Sequence, residues 1–174
     1  MIYYEGEKVS ILDLTYEYAQ VITEGEIKQG WDASVEKYLT RLEDAKSGRA
    51  IALCALFESA PAGYVNVYKS SEFGPAKLRG LPEIVDFGVL ERFRGRGIGS
   101  LLMDAAEKLA SEYSDTVYLG VGLHSGYGSA QRMYVKRGYI PDGAGVYYDD
   151  VPCVPYEKYI NDDCLNLYFT KKLR

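Results

Sequence analysis

Little in this sequence could hold a metal or close a disulfide. It has one histidine and three cysteines in 174 residues, and Cys54, Cys153 and Cys164 are scattered without C-x-x-C spacing. An odd, dispersed set argues against a disulfide framework or a zinc site and fits free thiols in a reducing cytoplasm. No apolar run approaches the roughly 18–20 residues that span a bilayer, so no membrane is expected as a partner. The first ten residues, MIYYEGEKVS, carry charges where an export signal needs an apolar stretch, and a cytoplasmic location follows as the expectation. A basic surplus is also missing. Twenty Lys and Arg stand against 25 Asp and Glu, a net charge of −5, which disfavours a nucleic-acid partner. The 18 glycines show no G-X-Y period, which excludes collagen. What remains is 47% hydrophobic and 26% charged, an ordered single domain over 1–174. A chain of this length buries about 70% of its unfolded surface without staples. Its negative charge attracts cationic amines. Seventeen tyrosines are either half-buried amphipathic rings or the lining of an aromatic cleft.

The order of elements can be read from periodicity. Residues 8–14 read as a strand, and TYEYAQVITEGEIKQGW as a helix running to Gly25 or Gly30. In 33–47, Val35, Tyr38, Leu39 and Leu42 form one helical stripe that Gly48 closes. The apolar run 49–57 and the alternating GYVNVYKS (63–70) read as a hairpin. A breaker-rich loop, 71–82, leads to a strand at 83–90. Ile98, Leu101, Leu102, Ala105, Ala106 and Leu109 make one broad apolar face, so 98–113 is the strongest helix. A strand at 116–123, a short helix at 129–138, and strands near 145–149 and 164–171 complete a mixed-sheet α/β domain.

The chemistry concentrates in EIVDFGVLERFRGRGIGSLLMDAAEKLA (83–110). Here a strand runs into Arg94-Gly95-Arg96-Gly97-Ile98-Gly99, which opens the strongest helix. A helix start exposes unpaired N–H groups, carries partial positive charge and, where glycine-rich, admits a bulky anion. That is a phosphate or pyrophosphate cradle. A Walker A loop is absent, since no Lys-Ser or Lys-Thr follows the glycines. A dinucleotide-binding turn starting at Gly95 would need its third glycine at Ser100, and Gly99 comes one residue early. The R/Q-x-x-G-x-G/A turn of acetyl-CoA-dependent transferases is met fully by Arg94, Gly97 and Gly99.

On these residues the chain resembles the GNAT superfamily of acyl-CoA-dependent N-acyltransferases. A second motif, Ala130, Tyr134, Gly138 and Tyr139, matches the family's A-x-x-x-Y-x-x-x-G-[FY] helix after TVYLGVGL. The resemblance implies a mostly antiparallel central sheet flanked by helices, with the parallel strands 83–90 and 116–123 splayed into a V. It implies acetyl-CoA as cosubstrate. The pantetheine arm would lie along Phe87, Gly88 and Val89, and the pyrophosphate on the N–H groups of Arg94, Gly95, Arg96, Gly97, Ile98, Gly99 and Ser100. Relatives often carry asparagine seven residues before the tyrosine. This chain has Tyr127 there, a departure at the contact to the CoA arm. The implied reaction is direct attack of a small-molecule or peptidyl primary amine on the thioester, with positioning, removal of the ammonium proton and a backbone N–H near Val89 for the oxyanion. A homodimer is compatible with the same resemblance.

Tyr134 matches the general acid of many relatives. Three residues stand as alternatives for the base. Glu83 and Asp86 precede the phosphate loop, and three residues apart on a strand they should point to opposite faces. His124, the single histidine, follows the next strand, with a reference pKa of about 6.5. A water chain without a dedicated base is a further alternative. Trp31, Tyr147, Tyr148, Asp149 and Asp150 are candidates for holding a cationic amine through aromatic faces and carboxylates. Two other functions stay open: an acyl-CoA-binding sensor or interaction module without turnover, and a toxin acting on charged tRNA, which the acidic balance disfavours.

Overall fold

A computed structural model of the chain describes residues 1–71, 74, 75 and 77–174. Residues 72, 73 and 76, part of the loop expected over 71–82, lie outside the described residues. Among the described residues nine strands form one sheet: β1 (Ile2–Glu5), β2 (Val9–Asp13), β3 (Ala50–Phe57), β4 (Ala60–Tyr68), β5 (Glu83–Val89), β6 (Thr116–Gly122), β7 (Ile140–Tyr148), β8 (Val151–Pro152) and β9 (Leu165–Lys172). Their order is β1-β2-β3-β4-β5-β6-β9-β7-β8. Every pairing is antiparallel except β5 with β6. The helices are α1 (Tyr16–Lys28), α2 (Val35–Lys46), α3 (Ile98–Ala110) and α4 (Gly128–Lys136). Among the described residues no helix is long and apolar enough to cross a membrane.

Strand alternation divides the core between the two faces. Leu53, Val65, Val67, Ile84, Val117 and Leu119 pack with Leu102, Met103 and Ala106 of α3. Ala52, Cys54, Leu56 and Tyr64 pack on the other face with Ala19 and Ile22 of α1 and Tyr38 of α2. That two-sided cover is why 50–57 reads as a continuous apolar run. Burial of a Leu or Ile side chain contributes about 1.5–3 kcal/mol, so this two-layer core carries the fold.

Periodicity missed the two-residue strand β8 and two further features. β1 is a short edge strand of mostly exposed residues, with no alternation to read. β7 begins at Ile140 rather than near 145, because the ladder with β9 continues through an irregularity between Pro141 and Val146. Gly143 and Gly145 adopt φ of 84° and 87° there, so residues that read as breakers sit inside the strand as a distortion.

A second distortion decides the geometry of the centre. Asn66 of β4 pairs with Val85, but Tyr64 pairs with Gly88. Asp86 and Phe87 therefore oppose the single residue Val65, and Asp86 takes φ 51°. This is a β-bulge, which resets the alternation of the strand. The expectation that Glu83 and Asp86 face opposite ways is overturned. Arg41 of α2 hydrogen-bonds Asp86 and the Tyr68 hydroxyl, and Glu83 pairs directly with Tyr68 across β4 and β5, so both acids lie on the α2 side.

Candidate active site

The glycine turn stands at the open end of β5. After a 3-10 turn at Glu91–Phe93, Gly95 and Gly97 adopt φ of 73° and 79°. Gly97 is the N-cap of α3, no side chain caps that helix start, and its first turn carries no acid. The first amides of α3 therefore remain available, and the helix dipole favours an anion in front of them. A Cβ built on Gly95 or Gly97 would meet no atom within 4 Å, so the cradle opens outward. Gly99 serves a different purpose: its Cβ would stand 3.1 Å from the Phe87 ring, so α3 approaches β5 closely only with glycine there. α1 fixes the loop from behind. Leu90 packs on Gly25, the Glu91 N–H donates to Gln29 Oε1 at 3.0 Å, and Arg94 lies over the Trp31 ring at 5.5 Å.

Beside this turn the sheet parts. Parallel β5 and β6 share one registered pair, Glu83 with Tyr118, and then diverge. Past that pair, the β6-facing edge of β5 from Val85 to Val89 has no strand partner among the described residues. It can hydrogen-bond an extended chain as an added strand would. Phe87 and Tyr134 span the gap on the α4 side, with ring centroids 6.3 Å apart. Tyr134 is buried at 5% exposure, and burial raises its hydroxyl pKa above the usual tyrosine range. No hydrogen bond holds that hydroxyl among the described residues.

The α2 side of the V is polar. Glu83 is buried and accepts hydrogen bonds from Ser71 and, at 3.0 Å, from the Tyr118 hydroxyl. Burial is the largest influence and raises its carboxyl pKa above the ordinary glutamate value. A carboxyl moved upward sits closer to the pH at which it can accept a proton productively. Asp86 is engaged otherwise: Arg41 donates to it through Nε and to the Tyr68 hydroxyl through Nη1. His124 caps the 3-10 turn that follows β6 and packs on the Tyr127 ring at 4.7 Å. Its Nδ1 accepts from the Gly126 N–H at 3.1 Å, and its Nε2 stands 3.0 Å from Asp163. Tyr127 donates to the same Asp163 oxygen at 2.8 Å, and a Cβ on Gly122 would collide with its ring. Tyr127 also packs against the core cluster that contains Val121 and Tyr134, so its ring meets both the Gly122 side of β6 and the α4 side.

The five residues expected to hold an amine are not brought together. Trp31 covers Arg94 beside the phosphate turn. Tyr147 is buried against Tyr168 at 5.2 Å. Tyr148 donates to Asp162 at 3.1 Å. Asp149 and Asp150, with φ of 49° and 64°, form the two-residue turn of the β7–β8 hairpin. Asp150 and Tyr147 both meet Tyr168 in the cluster that includes Tyr118, Asp150 accepting from the Tyr168 hydroxyl and from the Gly74 N–H at 3.2 Å. Periodicity did not single out Arg41, Ser71, Tyr118 or Asn66. The one available signal was Tyr64-Val65-Asn66-Val67-Tyr68, an alternation that puts an amide between two phenols on one face.

The chain matches the family model "Acetyltransferase (GNAT) family" over residues 12–139. No curated protein matches it. Among solved structures it is similar to Ard1 from Thermoplasma volcanium, with TM-score 0.69 and 18% identity over 95% of this chain and 97% of that one. It is also similar to an acetyl transferase from Salmonella typhimurium that modifies the N-terminal serine of a 50S ribosomal subunit protein, with TM-score 0.71 and 11% identity over 99% of each chain. A third is yncA, a putative acetyltransferase from Salmonella typhimurium with its cofactor acetyl-CoA, with TM-score 0.68 and 14% identity over 97% and 95% of the two chains. At these identities the likeness shows a common fold. The glycine turn before α3, the parting of β5 from β6 and the family match over most of the chain agree: the protein belongs to the GNAT family of acetyltransferases.

Proposed function

We propose that the protein transfers an acetyl group from acetyl-CoA to a primary amine by direct attack. The observation that carries this reading is the single registered pair between β5 and β6. Beyond it, among the described residues, lies a strand edge without a strand partner that leads to the glycine turn, its last carbonyl, Val89, accepting from Arg94 Nε at 3.2 Å. An extended pantetheine arm fits that edge, and a pyrophosphate fits the outward-open amides before α3. The cosubstrate supplies the activated thioester carbonyl. The protein's own residues position the reactants, remove water and move two protons.

Glu83 is the preferred base among the three candidates. Asp86 is committed to Arg41 and His124 to Asp163, whereas burial prepares Glu83 to take a proton. The amine gives up a proton towards Glu83, its nitrogen bonds to the acyl carbon, and the carbon–sulfur bond breaks. Tyr134 can return a proton to the departing sulfur, leaving an amide and free CoA thiol. Burial makes that phenol a weaker acid than usual, while a thiol takes its proton with a pKa of about 8.5. The transfer is uphill, so the phenol's contribution is small.

The Tyr134→Phe variant is therefore expected to lose only about 10-fold in kcat, the weak end for acid–base groups. Its Tm should stay near the parent value, because the hydroxyl makes no bond to lose and the ring packing is kept. Release of CoA thiol across a panel of amines tests the whole reading. Acetyl-CoA binding without thiol release from any amine would favour the sensor alternative. An unchanged kcat in Tyr134→Phe would remove Tyr134 from the mechanism.

A further inference from the structure

A buried carboxamide lies unpaired beside the V. Tyr64, Asn66 and Tyr68 alternate along β4 with Val65 and Val67, which belong to the α3 core. The three polar side chains therefore share the face that α1 and α2 cover. The outer two are anchored: Tyr64 donates to Glu26 at 2.8 Å and Tyr68 donates to Asp44. Asn66 is 1% exposed, yet neither its Nδ2 nor its Oδ1 has a partner among the described residues. Buried amides in folded proteins are nearly always paired, because desolvation without a hydrogen bond costs free energy. Asn66 thus keeps a donor and an acceptor for something the chain does not supply.

Its position says what that is. Asn66 pairs with Val85, the residue just before the bulge that turns Asp86 onto the same face. Arg41 reaches across from α2, joining the Tyr68 hydroxyl on β4 to Asp86 on β5. Its side chain is 23% exposed, so it forms the outer cover of this spot. Glu83, the candidate base, pairs with Tyr68 and stands on the same face. The orphan amide therefore lies one strand from the edge where the acyl group would be presented, beside the groups that would meet the amine.

We propose that Asn66 reads the acceptor, and that the acceptor carries an amide next to its attacking amine. This deepens the acetyl-transfer reading and rests on it. A carboxamide presents one donor group and one acceptor group side by side, and an amide's C=O and N–H answer both at once. A carboxylate would set negative charge against Oδ1, and an alkyl group would leave both atoms unpaired. The chemical class is an α-amino amide, the shape of the first residue of a peptide.

Glycinamide and isobutylamine test this directly, since they differ by an amide replaced with an isopropyl group of nearly the same shape. Their basicities differ, but equally for parent and variant, so the ratio of their kcat/KM values isolates the contact. In Asn66→Leu that ratio should fall about 10–100-fold, the loss expected when a polar recognition pair is removed. The variant should keep its acetyl-CoA-induced rise in Tm and be no less stable than the parent, because an unpaired polar group is replaced by an apolar one of similar size. A second readout needs neither turnover nor a variant. With CoA bound to the parent, the Asn66 side-chain NH2 signals in NMR should shift on titration with glycinamide and stay still with isobutylamine. An unchanged ratio in Asn66→Leu, or signals that ignore glycinamide, overturns the proposal and leaves a trapped water as the partner of Asn66. Loss of the acetyl-CoA effect on Tm in the parent would instead sink the acetyl-transfer reading, and the titration would still decide the role of Asn66.

Discussion

Glu83→Gln should lower kcat by about 10²–10⁴-fold, the range for removal of a general base, without weakening the fold at neutral pH. The stability half follows from linkage. Burial raises the Glu83 carboxyl pKa in the folded chain above its unfolded value. The folded state then binds the proton more tightly than the unfolded chain does. That contribution is fully present below the unfolded pKa and is lost as pH rises through the folded pKa. Above that point a buried charge is being held, and the neutral glutamine removes its desolvation cost. The Tm of Glu83→Gln should therefore match or exceed the parent's at pH 8 and lose that advantage at pH 4. Activity should behave in the opposite sense. The parent's rate should fall on the acid side as Glu83 protonates, and the variant should lose that limb. A near-native rate in Glu83→Gln, with the acid limb intact, would shift the task to a water chain.

The second large effect concerns the phosphate turn. Acetyl-CoA at 100 times its Kd should stabilise the parent by about 2.7 kcal/mol through binding to the native state alone. Gly97→Val should abolish this. Gly97 holds φ 79° with empty space around its missing Cβ, the space a pyrophosphate would fill. A valine there also strains the left-handed backbone by about 1–2 kcal/mol, so its ligand-free Tm should fall. The comparison is therefore the rise each protein shows above its own ligand-free Tm. Gly48→Val is the control. Gly48 has φ 81° and an equally open Cβ direction, but sits at the end of α2. It should pay the same backbone strain and retain the full acetyl-CoA effect. A full effect in Gly97→Val would place the cosubstrate elsewhere.

The parts of the site that are local in the chain were legible in the sequence. The glycine turn, the helix behind it and the register Ala130-Tyr134-Gly138 depend on residues near one another, and their conformations follow from φ preference and helical spacing. The two-strand V could be expected only through resemblance. The amine-binding set Trp31, Tyr147, Tyr148, Asp149 and Asp150 was drawn from aromatic and acidic composition, and composition carries no information about which loops meet. Trp31 ended beside Arg94, and Asp149 and Asp150 became a hairpin turn.

By itself the sequence determined the α/β class, the main strands and helices, and a glycine turn opening α3 at Gly95–Gly99. Each follows from periodicity or from glycine's access to positive φ within a few residues. Only the tertiary structure decided that Glu83 and Asp86 share one face of the sheet. One extra residue at Asp86–Phe87 against Val65 turned Asp86 to the side of Glu83, where strict alternation had separated them. Only tertiary packing committed Asp86 to Arg41 of α2, buried Glu83 against Ser71 and Tyr118 so that its pKa rises and left Asn66 without a partner among the described residues. A bulge depends on the register between two strands, and burial depends on what packs above. Both are set by contacts between residues far apart in the chain.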